Sequence, residues 1–185
     1  MHYRKKGNVY VFSKIPSTQD KAWELISRGA PSGTLVIAGV QTAGRGRRGR
    51  AWCSPAGGLW FSLALFPVSA GYSAGLTLSA ARALQLALKS ALDLETRVKL
   101  PNDLYFQEKK LAGIILETRG DKSVLGVGVN VNCRTGFLPP GISAVSLREI
   151  VKRPVSRCAI LSAFLVNFPK EPGAVLTFGL FEDKI

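Results

Sequence analysis

The sequence predicts one domain of the α/β or α+β class. Apolar and β-branched runs recur between glycine- and proline-rich turns, segments with helical spacing separate several of them, and no repeat, coiled-coil heptad or low-complexity linker interrupts the chain. The 185 residues, 46% of them hydrophobic, supply material for one sizeable core.

Residues 10–15 read as a short strand that Pro16 ends. Ser17 then offers a hydroxyl to cap a helix carrying Ala22, Trp23, Leu25 and Ile26 on one side, and residues 29–33 break it with Gly29 and Gly33. The run 34–40 is a strand, 41–58 a flexible polar loop rich in Gly and Arg, and 59–66 the next strand. From about residue 72 to 92, Leu76, Ala80, Leu84 and Leu88 repeat every four residues with Ala83, Ala87 and Ala91 beside them, which predicts the longest helix. Residues 97–100 form a short strand, and Pro101 opens a turn containing Asn102 and Asp103. Two strands, 110–118 and 123–132, make a hairpin, and 133–154 is mostly irregular. Cys158, Leu161 and Leu165 are spaced for a helix over 155–168, and 169–185 is too short for a further domain.

Charge and cysteine usage narrow the function classes. A formal net charge of +13 attracts anions without choosing among nucleic acid, nucleotide and acidic protein. Cys53, Cys133 and Cys158 lie far apart and His2 is the only histidine, so neither a structural zinc site nor a disulfide framework is expected. With no signal sequence and no apolar run of membrane-spanning length, the chain reads as a reduced, soluble, cytoplasmic protein.

Three clusters carry the chemistry. The segment GRGRRGR, residues 44–50, sets four arginines among three glycines, letting backbone approach a ligand while guanidinium forks meet carboxylate or phosphate oxygens. It is not a nucleoside-triphosphate P-loop, and an anion site, a nucleic-acid turn and a solvated basic loop all fit its composition. Trp52 and Trp60 after it suit a ligand at a sheet edge under an aromatic lid. KLPND, residues 99–103, ends a strand with a cation, an amide and a carboxylate, although an Asn-Asp turn can also satisfy only itself. KKLAGIILE, 109–117, puts two lysines ahead of a strand whose Gly113 leaves backbone uncovered, and GVGVNVN, 126–132, repeats that device with Gly126 and Gly128 and sets Asn130 in an apolar strand. Together they suit a site that joins a carboxylate to a nucleotide through charge stabilisation, with no Ser-His-Asp or Cys-His arrangement in competition.

STQ at 17–19, QTAGRGRRGRAWCSPAGGLWFS at 41–62, KLPNDLYFQEKKLAGIILE at 99–117 and GVGVNVN at 126–132 closely resemble, in order and spacing, the biotin–protein ligase family. The likeness covers roughly residues 11–132 and continues weakly to about 169. It implies a catalytic domain related to class II aminoacyl-tRNA synthetases, a mixed and mainly antiparallel sheet packed against helices. It also implies ATP with Mg²⁺, activation of biotin as biotinyl-5'-AMP, and transfer to a lysine of a biotin carboxyl carrier domain of a carboxylase, with a homodimer among the allowed assemblies.

Residue by residue, the resemblance assigns Ser17, Thr18, Gln19 and Gln41 to biotin, with Gly44, Gly113 and Ile115 beside it. Arg45, Arg47 and Arg50 belong to the loop closing over biotin and adenylate, with Arg47 nearest the activated carboxyl and Trp52 near the nucleotide. Lys110 corresponds to the lysine at the reacting carboxylate and α-phosphate, and Asn130 to a nucleotide-binding asparagine. Lys99, Asn102 and Asp103 lie beside ATP, Asp103 with the possibility of meeting the metal. Lys110 and Arg47 are thus the expected catalytic pair. Leu100 stands where an aromatic residue is common and Gln19 where asparagine is common. The start at Met1 is expected to leave no room for a winged-helix DNA-binding domain, and Ile185 to precede any small SH3-like domain. Lipoate–protein ligation, nucleic-acid binding and an inactive or partner-dependent remnant are the competing functions.

Overall fold

The computed structural model describes residues 3–135 and 143–169. Its strands are β1 (Tyr3–Lys6), β2 (Val9–Ile15), β3 (Leu35–Gln41), β4 (Leu59–Leu65), β5 (Arg97–Lys99), β6 (Asp103–Phe106), β7 (Lys109–Arg119) and β8 (Lys122–Val129). They form one sheet in the order β1-β2-β3-β4-β8-β7-β6-β5. Among the described strands only β2 and β3 pair in parallel, and helix α1 (Thr18–Ser27) supplies the crossover that such a pair requires. The mixed, mainly antiparallel sheet packed against helices is the expected fold class.

Alternation along the central strands divides the core into two layers. Leu59, Phe61, Leu63 and Leu65 of β4 and Leu125, Val127 and Val129 of β8 join the cluster containing α2 (Ala70–Leu92) and α4 (Arg157–Asn167). The four-residue spacing in α2 is explained there: Leu76, Ala80, Leu84 and Leu88 are all buried. Phe61 meets Phe164 of α4 edge to face, with ring centroids 5.3 Å apart. The smaller second layer packs Ala22, Trp23 and Ile26 of α1 on Phe12, Ile15, Val36, Ala38, Ala64 and Val124. Short α1 covers only part of that face, and the candidate site occupies the rest.

Several boundaries differ from expectation. β1 lacks any buried residue, so no apolar pattern announced it, and it is held by antiparallel pairing with β2. The turn after Pro101 is shorter than its composition suggests, because Asp103 already pairs with Lys99 and Gly113 as the first residue of β6. Asn130 falls just past β8 rather than inside it. Within the stretch expected to be irregular, α3 (Leu147–Val151) forms on a reciprocal capping box, Ser146 with Glu149. His2 and the segment after residue 169 lie outside the described residues.

Candidate active site

The floor of the site is built from missing side chains. On adjacent strands, Gly113 of β7 pairs with Gly128 of β8, and Ile115 with Gly126. A Cβ at Gly113 would lie 2.8 Å from the Trp52 ring, and one at Gly128 would lie 2.5 Å from Trp52 Nε1. One at Gly126 would meet Gln19 Oε1 and Ile115 Cγ2, both at 2.7 Å. The backbone predicted to stand uncovered therefore carries the chain's own side chains, chiefly an indole laid flat across two strands. Trp52 also meets Trp60 edge to face at 6.4 Å. Trp52 itself lies over the face of the sheet, across Gly113 of β7 and Gly128 of β8.

At one end of this floor the start of α1 and the end of β3 form a polar chain. Ser17 caps α1, its hydroxyl accepting from the Gln19 and Asp20 amides. Thr18 donates through both its amide (2.8 Å) and its hydroxyl (3.0 Å) to Gln41 Oε1. Gln41 Nε2 donates to Ser54 Oγ at 2.7 Å, and Ser54 Oγ donates to the Trp52 carbonyl at 3.2 Å. Below them, the single Ser62 proton is within reach of Thr18 Oγ1 (2.8 Å) and Gln19 Oε1 (2.9 Å), while Gln19 Nε2 donates to the Val124 carbonyl. Gln19 is thus buried beneath the site, supporting Ser62 and covering Gly126. Gly44 belongs to the same end, since a Cβ there would lie 2.7 Å from Ser54 Oγ.

The glycine–arginine loop, expected to be flexible, is folded on itself. Gln41 bridges Ser54 and Arg45 bridges Ala51, the Trp52 amide donates to the Gly44 carbonyl, and residues Arg47–Gly49 make one 3₁₀ turn. Arg45 reaches back to Asp20 of α1 and Glu117 of β7. Arg47 donates to Asn102 Oδ1 at 2.7 Å. Between the loop and β7 lies a cavity of about 520 Å³, bordered by Arg45, Arg47, Arg48, Arg50, Ile115 and Glu117.

At the other end, Lys110 Nζ lies 2.7 Å from Asp103 Oδ2 and 5.1 Å from the centre of the Trp52 ring. Asn102 Nδ2 donates to Asp103 Oδ1 (3.1 Å) and to the Ile114 carbonyl (3.0 Å). Arg47, Asn102, Asp103 and Lys110 therefore form one connected polar row. Lys99 is exposed with its ammonium over Tyr105, so it stays outside that row. Asn130 supports from behind: its Nδ2 donates to the Val145 carbonyl at 3.3 Å, and its own amide donates to the Leu111 carbonyl. The backbone of Lys110 is held by Ser143 and Val145 in a short parallel bridge. Burial pushes the nearby Cys133 thiol up to about 11, which keeps it protonated and unsuited to nucleophilic attack at neutral pH.

Asp103 is a single carboxylate already serving Lys110 and Asn102, and no group of three or more His, Cys, Asp or Glu able to hold a metal occurs among the described residues. A lone carboxylate of this kind is not by itself the ligand set of a resident metal ion. Ser54, Ser62, Asp20, Glu117 and Trp23 were not identified as site residues from sequence. Ser62 had a readable signal, a lone hydroxyl in the otherwise apolar strand LWFSLAL. Glu117 shared the parity of Gly113 and Ile115 along β7, but its partner Arg45 lies 72 residues away.

The model of the biotin/lipoate A/B protein ligase family matches residues 11–133. Among known proteins, the bifunctional ligase/repressor BirA of Bacillus subtilis is 35% identical over 180 residues, 92% of this chain and 55% of the relative. BirA of Escherichia coli is 38% identical over 135 residues, covering 69% of this chain and 42% of its own length. The chain thus spans about half the length of the curated relatives it matches. Among solved structures, biotin protein ligase from Aquifex aeolicus in complex with biotin and ATP superposes with a TM-score of 0.77 at 35% identity, over 88% of this chain and 69% of that one. On the family match, the shared fold and the convergence of its motifs on one face of the sheet, the chain belongs to the biotin/lipoate A/B protein ligase family and has the catalytic-domain fold of its biotin–protein ligases.

Proposed function

We propose that this chain is the catalytic unit of an ATP-dependent biotin–protein ligase, forming biotinyl-5'-AMP and passing the biotinyl group to a lysine of a biotin carboxyl carrier domain. The observation that carries this reading is the arrangement of four separated motifs around one floor, with hydrogen-bonding groups at Thr18, Gln41 and Ser54 and cations at Lys110 and Arg47. In this reading the polar end orients the ureido group of biotin, with Ser17 and Gln19 beneath it and Gly44, Gly113 and Ile115 beside it. Arg50 and Lys99 extend the positive field toward the phosphates. Asn130 serves the nucleotide side through its hold on the Lys110 strand.

In the first step an oxygen of the biotin carboxylate bonds to the α-phosphorus of ATP, and the bond to pyrophosphate breaks. Two anions approach one another, so donors held in place beforehand are the main source of acceleration. The Asp103 pair supports the assignment of Lys110, because an ammonium held against a carboxylate oxygen at 2.7 Å is already aimed at the kind of group it must receive. Arg47, bonded among the described residues to a neutral amide, is available as the second cation. In the second step the neutral amine of the acceptor lysine attacks the acyl carbon, AMP departs with the bonding pair, and the amine loses a proton. Magnesium enters this reading with the phosphates of ATP, and no step is assigned to it.

Attendant parts of the proposal are a cytoplasmic setting, which three free thiols suit, and association with an acceptor or a second copy. Among the described residues, no helix is long and apolar enough to cross a membrane. β6 pairs with β7 only as far as Gly113, so residues 115–119 have no strand on that side among the described residues, an edge able to receive one. Mass spectrometry after incubation with biotin, MgATP and a biotin carboxyl carrier domain tests the function. Biotinyl-AMP and an acceptor heavier by one biotinyl group are expected, whereas adduct formation with lipoate alone would overturn the reading.

A further inference from the structure

We propose that Asp20 and Glu117 are positioning residues for the glycine–arginine loop, binding the Arg45 guanidinium from two separate elements and so holding the loop against the sheet. Arg45 Nη1 donates to Asp20 Oδ1 on α1 and Nη2 donates to Glu117 Oε1 on β7, so one planar fork ties the loop to both walls of the cleft. Glu117 is itself held: its second oxygen accepts from Trp23 Nε1 at 2.9 Å, and the Arg119 guanidinium stacks 4.3 Å from the Trp23 ring. The Glu117 side chain is 18% exposed against 52% for Asp20, which makes Glu117 the firmer half of the clamp.

The backbone carries this hold around the loop. Arg45 bridges Ala51, and the Gly46 amide donates to the Arg50 carbonyl at 2.7 Å, so fixing residue 45 fixes both limbs of the turn that presents Arg47, Arg48 and Arg50. The two carboxylates commit both terminal nitrogens of the Arg45 guanidinium to the walls of the cleft. Among the described residues Arg47 meets the Asn102 amide, and Arg48 and Arg50 make no ion pair. The arginines therefore divide their work: Arg45 anchors, and the three after it face the ligand. The identity of that ligand rests on the ligase reading, but the clamp does not.

Tryptic cleavage after Arg47, Arg48 and Arg50 in the ligand-free protein, followed by mass spectrometry, reads loop opening without any reaction. Glu117→Gln and Asp20→Asn should each speed cleavage about three- to fivefold, the range expected for a partly exposed ion pair, when cleavage follows the open population. Arg45→Gln should do the same, and adding Glu117→Gln to it should add nothing further. Asp20→Glu should restore the parent rate, a rescue that mere loss of packing would not give. Asp20 is exposed, so its variants carry the test if Glu117→Gln does not fold. Unchanged cleavage in Asp20→Asn, or additive effects in the double variant, would overturn the clamp. In parallel, failure of biotin with MgATP to slow cleavage of the parent counts against the ligase reading while the ligand-free rates still decide the clamp.

Discussion

Replacing Gly128 by alanine tests the floor of the site with a single methyl group. Its Cβ would stand 2.5 Å from Trp52 Nε1 and 2.8 Å from Cε2, so the indole must retreat by about 1 Å to reach ordinary van der Waals separation. Both partners along β8 are fixed, because Gly128 pairs with Trp60 on one side and Gly113 on the other. The movement therefore falls on Trp52, whose Nε1 is buried without a hydrogen-bond partner and so offers little resistance. Overpacking of this kind costs about 1–3 kcal/mol when the surroundings cannot yield, and less here if the indole slides. The expected result is a fall of only a few degrees in Tm, about 2–4 °C per kcal/mol for a chain of this size, together with at least a tenfold loss of biotin affinity by calorimetry. Gly75→Ala in α2, where a Cβ meets nothing within 4 Å, is the control and should leave binding unchanged. Parent-like biotin affinity in Gly128→Ala would refute the argument that the indole on this backbone shapes the site.

Ser54→Ala removes the acceptor of Gln41 Nε2 and frees the amide that Thr18 reads, so biotin affinity should drop by about tenfold, the scale of one buried donor left unpaired; equal titration curves for variant and parent would reject that link. Glu149 gives a pH dependence: burial pushes its carboxyl up, but hydrogen bonds from the Ser146 amide, the Thr135 and Ser146 hydroxyls and the Thr135 amide outweigh it and hold the group below 4.5. A depressed folded value means the stabilisation is complete above about 4.5 and is lost as pH falls through the lower folded value. Thermal unfolding of parent and Glu149→Gln should accordingly differ most near neutrality and converge in acid, and a gap that widened on acidification would contradict the assignment.

Periodicity made the fold legible where elements are amphipathic. The Leu76–Leu88 series is buried as spaced, and the apolar strands β3, β4 and β8 lie near their predicted bounds. It failed where an element is exposed or too short to show a pattern: β1 is exposed throughout, and β6 is four residues long with one buried side chain, Leu104; both pair with neighbours that sequence spacing does not reveal. Within the site, Lys110 separates from Lys109 as strand parity requires, half-buried against exposed. What sequence could not supply was the pairing of polar side chains far apart in the chain. Arg45 with Glu117 and Arg47 with Asn102 join residues 72 and 55 positions apart, and only the folded sheet brings them together. The glycines misled in one respect: a bare backbone invites a ligand, yet Trp52 and Gln19 take the invitation first.

The proposed role of Lys110 in bond formation is the point on which the ligase reading stands. Its ammonium is paired with Asp103 at 2.7 Å at the end of the floor, while exposed Lys109 makes no ion pair among the described residues. Losing a preorganised charge contact at the transition state costs about 3–4 kcal/mol, a factor of hundreds in rate, whereas an exposed change stays within roughly 0.5 kcal/mol of stability. Pyrophosphate release measured before the steady state, at saturating biotin and MgATP, should therefore slow by about two orders of magnitude in Lys110→Ala and stay at the parent rate in Lys109→Ala. Thermal unfolding should be unchanged in Lys109→Ala and fall only modestly in Lys110→Ala, which leaves the Asp103 carboxylate without its cation. Equal rates of pyrophosphate release in the two variants would remove Lys110 from the chemistry and contradict the account.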